Sequence, residues 1–118
     1  MSEQCDKVTA AVQSYRFRFR NEDELQTGIG RVLEQEGIAF ERERPLGRDR
    51  VDFFASGIAI EIKVDGSLNE VTRQIFRYSM HPDVTEIILV TCRMLHNRMP
   101  DEMSSKPVKV VVVSSGAF

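Results

Sequence analysis

Asp52, Glu61 and Lys63 stand in the pattern D-x8-E-x-K, two carboxylates and an ammonium set into an otherwise largely apolar stretch of chain. Hard divalent cations are held by one or two carboxylates together with waters and substrate oxygens. A neighbouring ammonium can orient or deprotonate the attacking water, while the cation offsets charge on a phosphoryl oxygen. Three such groups brought together would therefore suit hydrolysis of a phosphodiester. The alternative is a surface ladder in which Asp52 pairs with Lys63 and Glu61 with Arg50, and no chemistry follows.

The elements around these residues decide between the two. Residues 58 to 64 read IAIEIKV and residues 50 to 55 read RVDFFA, each alternating with the period of a strand. Ser56-Gly57 between them is a dipeptide of the kind that closes tight hairpins. With that loop, Asp52 faces Glu61, Val51 faces Ile62 and Arg50 faces Lys63. One face is then wholly apolar (Val51, Phe53, Ala55, Ile58, Ile60, Ile62, Val64) and the other gathers Arg50, Asp52, Glu61 and Lys63. Opposed carboxylates repel, by up to about 1 kcal/mol, unless a cation sits between them.

Upstream, Asn21 precedes a helix expected from about Glu22 to Glu36, with Glu24 at the capping-box spacing, Leu25, Ile29, Val32 and Leu33 on its buried stripe, and Gly37 at its end. Gly28 and Gly30 within it permit close packing on a neighbour. A strand IAFERER turns at Pro45-Leu46-Gly47 into the hairpin. Downstream, Ser67 and Glu70 repeat the capping box for a helix running to about Met80. On it Gln74 and Tyr78 share a face, Arg73 and Arg77 form a basic stripe, and Leu68, Val71 and Ile75 turn inward. A strand at 86 to 91, a short helix from about Arg93 to Met103 and a strand VKVVVV at 108 to 113 complete the order α-β-β-β-α-β-α-β. That order describes an α/β fold with a mixed central sheet flanked by helices. Residues 15 to 20, YRFRFR, read as a strand or an extended arm with one basic edge.

At 118 residues, 42% hydrophobic and 29% charged, the chain is expected to form one domain. No apolar run has the length of a membrane span, MSEQCDKVTA lacks the apolar stretch of a signal peptide, and an intracellular, cytoplasmic setting is expected. Cys5 and Cys92 are read as thiols, Cys92 as a core residue, and His81 and His96 as structural or exposed. The net charge of −2 excludes a general polyanion trap, yet twelve Arg stand against four Lys, and Arg suits bidentate phosphate contact. Arg42, Arg44, Arg48 and Arg50 surround the turn ERERPLGRDR, interleaved with Glu41, Glu43 and Asp49.

The run VDFFASGIAIEIKV followed by Gln74-x-x-x-Tyr78, with Glu24 on a preceding helix, resembles the PD-(D/E)XK nuclease superfamily. The Gln-x3-Tyr element looks like its RecB-type and phage nuclease branches, and the similarity extends over residues 22 to 91. Val51 stands where the motif's name has Pro. The resemblance implies a restriction-endonuclease-like core and a Mg²⁺- or Mn²⁺-dependent phosphodiesterase, with a phage among the expected sources. Asp52, Glu61, the Ile62 carbonyl and Glu24 would hold the metal, Lys63 would position the water, Gln74 would orient the site, and Tyr78 would support it or touch nucleic acid. Arg73, Arg77, Arg48 and Arg50 are the candidate phosphate contacts. The function expected is a DNA nuclease selective for structure and not for sequence. A Holliday junction resolvase, or a non-catalytic nucleic-acid-binding or assembly module on the same fold, are the alternatives. A homodimer is expected, through the VKVVVV strand or the 93 to 103 helix.

Overall fold

The computed structural model describes residues 1–114. Its elements are α1 (Glu3–Ser14), α2 (Glu22–Gln35), β1 (Glu41–Leu46), β2 (Asp49–Ala55), β3 (Ile58–Lys63), α3 (Leu68–Ser79), β4 (Glu86–Thr91), a 3-10 turn (Met94–Arg98), β5 (Glu102–Met103) and β6 (Lys106–Val112). The six strands form one mixed sheet in the order β1-β2-β3-β4-β6-β5. β3, β4 and β6 run parallel, and β1, β2 and β5 are antiparallel to their neighbours.

Helices cover both faces. Ile58, Ile60 and Ile62 of β3 and Ile88 and Val90 of β4 pack with Leu25, Ile29 and Leu33 of α2 and with Cys5, Val8 and Val12 of α1. Ala59, Ile87 and Leu89 turn the other way, onto Val71, Ile75 and Tyr78 of α3. β3 and β4 are thus buried on both faces and apolar almost throughout, as their central position demands. Among the described residues no helix is long and apolar enough to cross a membrane.

Local chemistry accounts for the boundaries. The side chains of Asn21 and Ser67 accept from the backbone N–H of Glu24 and Glu70, capping α2 and α3. Gly37, at φ +70°, lies just beyond the last turn of α2 and adopts the left-handed conformation that ends many helices. Ser56 and Gly57 both have positive φ, the geometry of the tightest hairpin turn. A Cβ on Gly57 would lie 2.6 Å from Thr85 Oγ1, so any larger residue displaces Thr85.

Four expectations are corrected. The first twelve-residue helix, α1, was not anticipated; Ser2 caps it, and Cys5, Val8, Ala11 and Val12 make its buried stripe. Of the strand and the arm expected at 15 to 20, the strand is absent and an unpaired arm remains, although the exposure of 16–19 alternates as an edge strand's would. The helix expected from Arg93 to Met103 is a 3-10 turn of five residues followed by the short β5, with Met99 and Met103 buried. Pro45 and Leu46 remain in β1, and the chain turns at Gly47-Arg48. Of the final strand, Val108 and Val111 are buried and Val110 and Val112 partly so. The strand pairs with β4 over 108–112 and with β5 only at 106–107.

Candidate functional site

The hairpin keeps the expected register only near its turn. Ala55 pairs with Ile58, Phe54 with Ala59 and Phe53 with Ile60, and there the paired register ends. At the next position each carboxylate reaches across to the other strand's backbone. Asp52 Oδ2 accepts from the Ile62 N–H at 2.8 Å, and Glu61 Oε1 accepts from the Asp52 N–H at 3.3 Å. Side chain-to-backbone bonds replace the backbone ladder, so the strands part where the acidic residues stand.

The break extends into β1. Glu43 adopts φ +49°, and its neighbours turn to opposite faces: Arg42 lies over the Phe53 ring and Arg44 over the Phe54 ring, 5.4 and 4.0 Å from the centroids. Val51 joins the α3-side core instead of the side that alternation assigns it with Phe53. The predicted all-apolar face is therefore corrected at Val51, and the faces of β1 and β2 change over at Glu43 and Asp52.

Glu61 is 3% exposed and is held from several directions. The Tyr78 hydroxyl, 3.0 Å from Oε1, donates to it, with the Arg50 carbonyl oxygen at 3.2 Å as a second acceptor. Gln74 Nε2 donates to the same hydroxyl at 2.9 Å. Lys63 Nζ lies 3.6 Å from Glu61 Oε2. Loss of water pushes the Glu61 carboxyl up to about 8, and the Asp52 charge adds to the effect against the opposing pull of Lys63 and Tyr78. Burial likewise pushes Asp52 up to about 6, with Glu22 and Glu43 adding to it and the Ile62 N–H and Lys63 opposing. At neutral pH the pair retains proton density that a divalent cation would displace.

Lys63 opens onto a cleft of about 540 Å³ walled by Glu22, Asp65, Glu70, Arg73, Gln74 and Arg77. The carboxyl end of β3 therefore presents Lys63 to the cleft, with Asp52 and Glu61 behind it and Glu61 held by Tyr78 of the C-terminal half of α3. Ligands of open α/β sheets commonly lie outside the carboxyl ends of the parallel strands.

The other site expectations fare unevenly. Gln74 and Tyr78 reach the carboxylates, but Tyr78 is fully buried and braces Glu61 without access to a polymer. Glu24 is not brought to the pair. Arg20 holds it through its backbone N–H at 2.7 Å and its guanidinium at 2.9 Å, which draws the Glu24 carboxyl below its usual range. Glu22, two residues earlier, lines the cleft with Lys63 instead. Two residues of helix turn the chain by about 200°, so Glu24, expected at the metal from the resemblance, stands on the face away from the site, where its capping-box position accounts for it. Arg73 lines the cleft, while Arg77 is engaged by Asp49 at 2.9 and 3.1 Å. Arg50 stands 4.0 Å from Glu43, and Arg48 is exposed at the β1–β2 turn.

Among the described residues no group of three or more His, Cys, Asp or Glu side chains forms a ready-made metal cage. Two adjacent carboxylates are nonetheless donors suited to a hard cation that keeps most of its waters. No protein-family model, curated protein or solved structure matches this chain.

Proposed function

We propose that this chain is a metal-dependent nuclease on a restriction-endonuclease-like core that hydrolyses phosphodiester bonds in DNA, selecting structure and not sequence. The observation that carries the reading is the opening of the hairpin at Asp52. Two carboxylates are held side by side with their protons hard to lose, next to an ammonium that lines an open cleft. A fold built only for stability would place an apolar pair there.

Asp52, Glu61 and the Ile62 carbonyl would hold Mg²⁺ or Mn²⁺, which supplies charge neutralisation at the phosphoryl group and acidifies a water. The chain's own residues do the rest. Lys63, three-quarters withdrawn from solvent, is placed to hold the attacking water by a hydrogen bond. Tyr78 and Gln74 fix the rotamer of Glu61, so that its second oxygen stays directed toward Lys63. Arg73 offers positive charge on the cleft wall for a phosphate flanking the scissile one.

The test is purified protein with Mg²⁺ or Mn²⁺ against linear duplex, single-stranded, flap and four-way-junction DNA, with Lys63→Ala as control. Cleavage by the wild type, abolished in a folded Lys63→Ala, supports the reading. Cutting of the four-way junction by a dimer would identify a resolvase. Binding with no cleavage under any metal would leave a non-catalytic nucleic-acid module.

A further inference from the structure

Arg16, Arg18 and Arg20 alternate with Tyr15, Phe17 and Phe19 in the connector between α1 and α2. The three arginines are exposed, Phe17 is buried, and Tyr15 and Phe19 are half-buried. Phe17 anchors the segment. Its ring lies against Gly28 of α2, where even a Cβ would sit 3.0 Å from a ring carbon. A segment without backbone pairing is thereby fixed with its arginines outward.

Five of the twelve arginines are held in ion pairs, Arg20 among them. Arg44 is paired with Asp83, Arg50 with Glu43, Arg77 with Asp49 and Arg93 with Asp65. Among the described residues Arg16, Arg18 and Arg31 make no ion pair and no side-chain hydrogen bond. Arg18 and Arg31 share two adjoining surface depressions, one shared with Arg20, Asp23 and Glu24, the other with Tyr15 and Arg16. Arg20 already neutralises Glu24, so Asp23 and Glu36, which accepts from the Tyr15 hydroxyl at 2.9 Å, are the remaining acids against three guanidinium groups without an ion pair. The ridge also leads to the candidate site. Two residues after Arg20 comes Glu22, which lines the cleft beside Lys63.

Alternate side chains of an extended segment stand about 7 Å apart, a step that suits successive phosphates of an extended single strand. A positively charged groove that tracks the backbone is the usual means of holding such a strand without reading its sequence, and Tyr15 and Phe19, packed against the core but only half-buried, lie beside the cations. We infer that the Arg16–Arg18–Arg31 ridge, with Tyr15 and Phe19 between, holds a single-stranded nucleic-acid tail whose scissile end enters the cleft at Lys63. The inference rests on the nuclease reading and assigns that site a flap or overhang as substrate.

The test pairs two measurements on wild type and on Arg16→Ala/Arg18→Ala/Arg31→Ala, with Arg→Lys at the same positions as the charge-retaining control and thermal melting to verify folding. Fluorescence anisotropy without divalent metal measures binding of labelled 15-mer deoxy and ribo single strands and of a blunt duplex across a salt series. Hydrolysis of bis(4-nitrophenyl) phosphate with Mn²⁺ reads the catalytic centre without needing the ridge. The expected result is at least tenfold weaker single-strand binding in the Ala variant and a log K versus log salt slope lower by about 2, at about 0.7 per lost contact. The Lys variant should recover much of the loss, duplex binding should change little, and diester hydrolysis should be unchanged. A loss seen with only one of the two sugars supports the inference and names the strand type. Unchanged single-strand affinity and slope, or equal loss for the blunt duplex, would overturn the ridge while active diester hydrolysis leaves the nuclease reading standing. Ridge-dependent binding in a protein that hydrolyses no diester would overturn the nuclease reading and keep the strand-binding surface.

Discussion

Glu61 and Glu86 lie on adjacent strands of one sheet and are almost equally buried, 3% and 7% exposed. Their surroundings are opposites. Glu86, at the start of β4, accepts from the Ser2 backbone N–H at 2.8 Å and from the Ser2 hydroxyl, and Ser2 itself caps α1 by accepting from Cys5 N–H. Its charge sits at a helix N-terminus, where partial positive charge is concentrated. Glu61, near the end of β3, has an acid as its neighbour and pays for it in a carboxyl raised to about 8. One buried carboxylate fastens α1 to the sheet. The other is kept in a setting that costs stability, and strained electrostatics of that kind collect where a ligand is expected to relieve them.

Neutralising each in turn should separate the two roles. Glu61→Gln should lower metal-dependent cleavage by more than the roughly 100-fold expected for loss of an outer partner of a metal ligand, yet raise the melting temperature of the metal-free protein at pH 8. A fall in melting temperature would make Glu61 a second structural anchor like Glu86. Tyr78→Phe removes the hydroxyl that orients Glu61 and should cost about 10- to 100-fold in cleavage rate, with Gln74→Ala milder because it acts through Tyr78. Unchanged rates would return this pair of residues to packing alone. Glu86→Ala should leave the cleavage rate of the folded protein unaltered and destabilise it by about 1–3 kcal/mol, since Ser2 loses its acceptor; urea melts measure this.

The smallest expected effect is on pH dependence. The Asp52 and Glu61 carboxyls are raised in the folded chain, to about 6 and about 8, above ordinary values of 3.8 and 4.5. Their contribution to stability is therefore fully present below about pH 4 and is lost as pH rises through 6 and then 8. Metal-free melts between pH 5 and 9 should show that decline, and Glu61→Gln or millimolar Mg²⁺ should flatten it. A melting temperature that climbs over the same range without metal would mean that the two acids are not crowded.

Much of this arrangement is written in local pattern. The caps at Asn21 and Ser67, the Ser56-Gly57 turn and three pairs of the hairpin register follow from residue type and spacing. The register failed at Asp52 because alternation counts side-chain faces and does not count a carboxylate that competes for a backbone N–H, as Asp52 does at Ile62. Glu24 entered the expected site through the family resemblance, while its capping-box spacing marked it as a helix-start residue; in the structure Arg20, delivered from a connector with no periodic signal of its own, holds it, and Glu22 lines the cleft. Helix α1 was hidden because its stripe is short and its first turn polar. Glu86, 84 residues away in the chain, supplies the contact that holds it. Contacts of that range leave no trace in a window of ten or fifteen residues.

The central claim is that Asp52 and Glu61 are crowded in order to receive a divalent cation. Calorimetric titration of the wild type with Mn²⁺ at pH 7, repeated in two buffers of different ionisation heat, measures binding and proton release together. One site per chain with net release of protons, absent in Asp52→Asn and Glu61→Gln, is the predicted result. No binding at millimolar Mn²⁺, or binding unchanged in both variants, would contradict it.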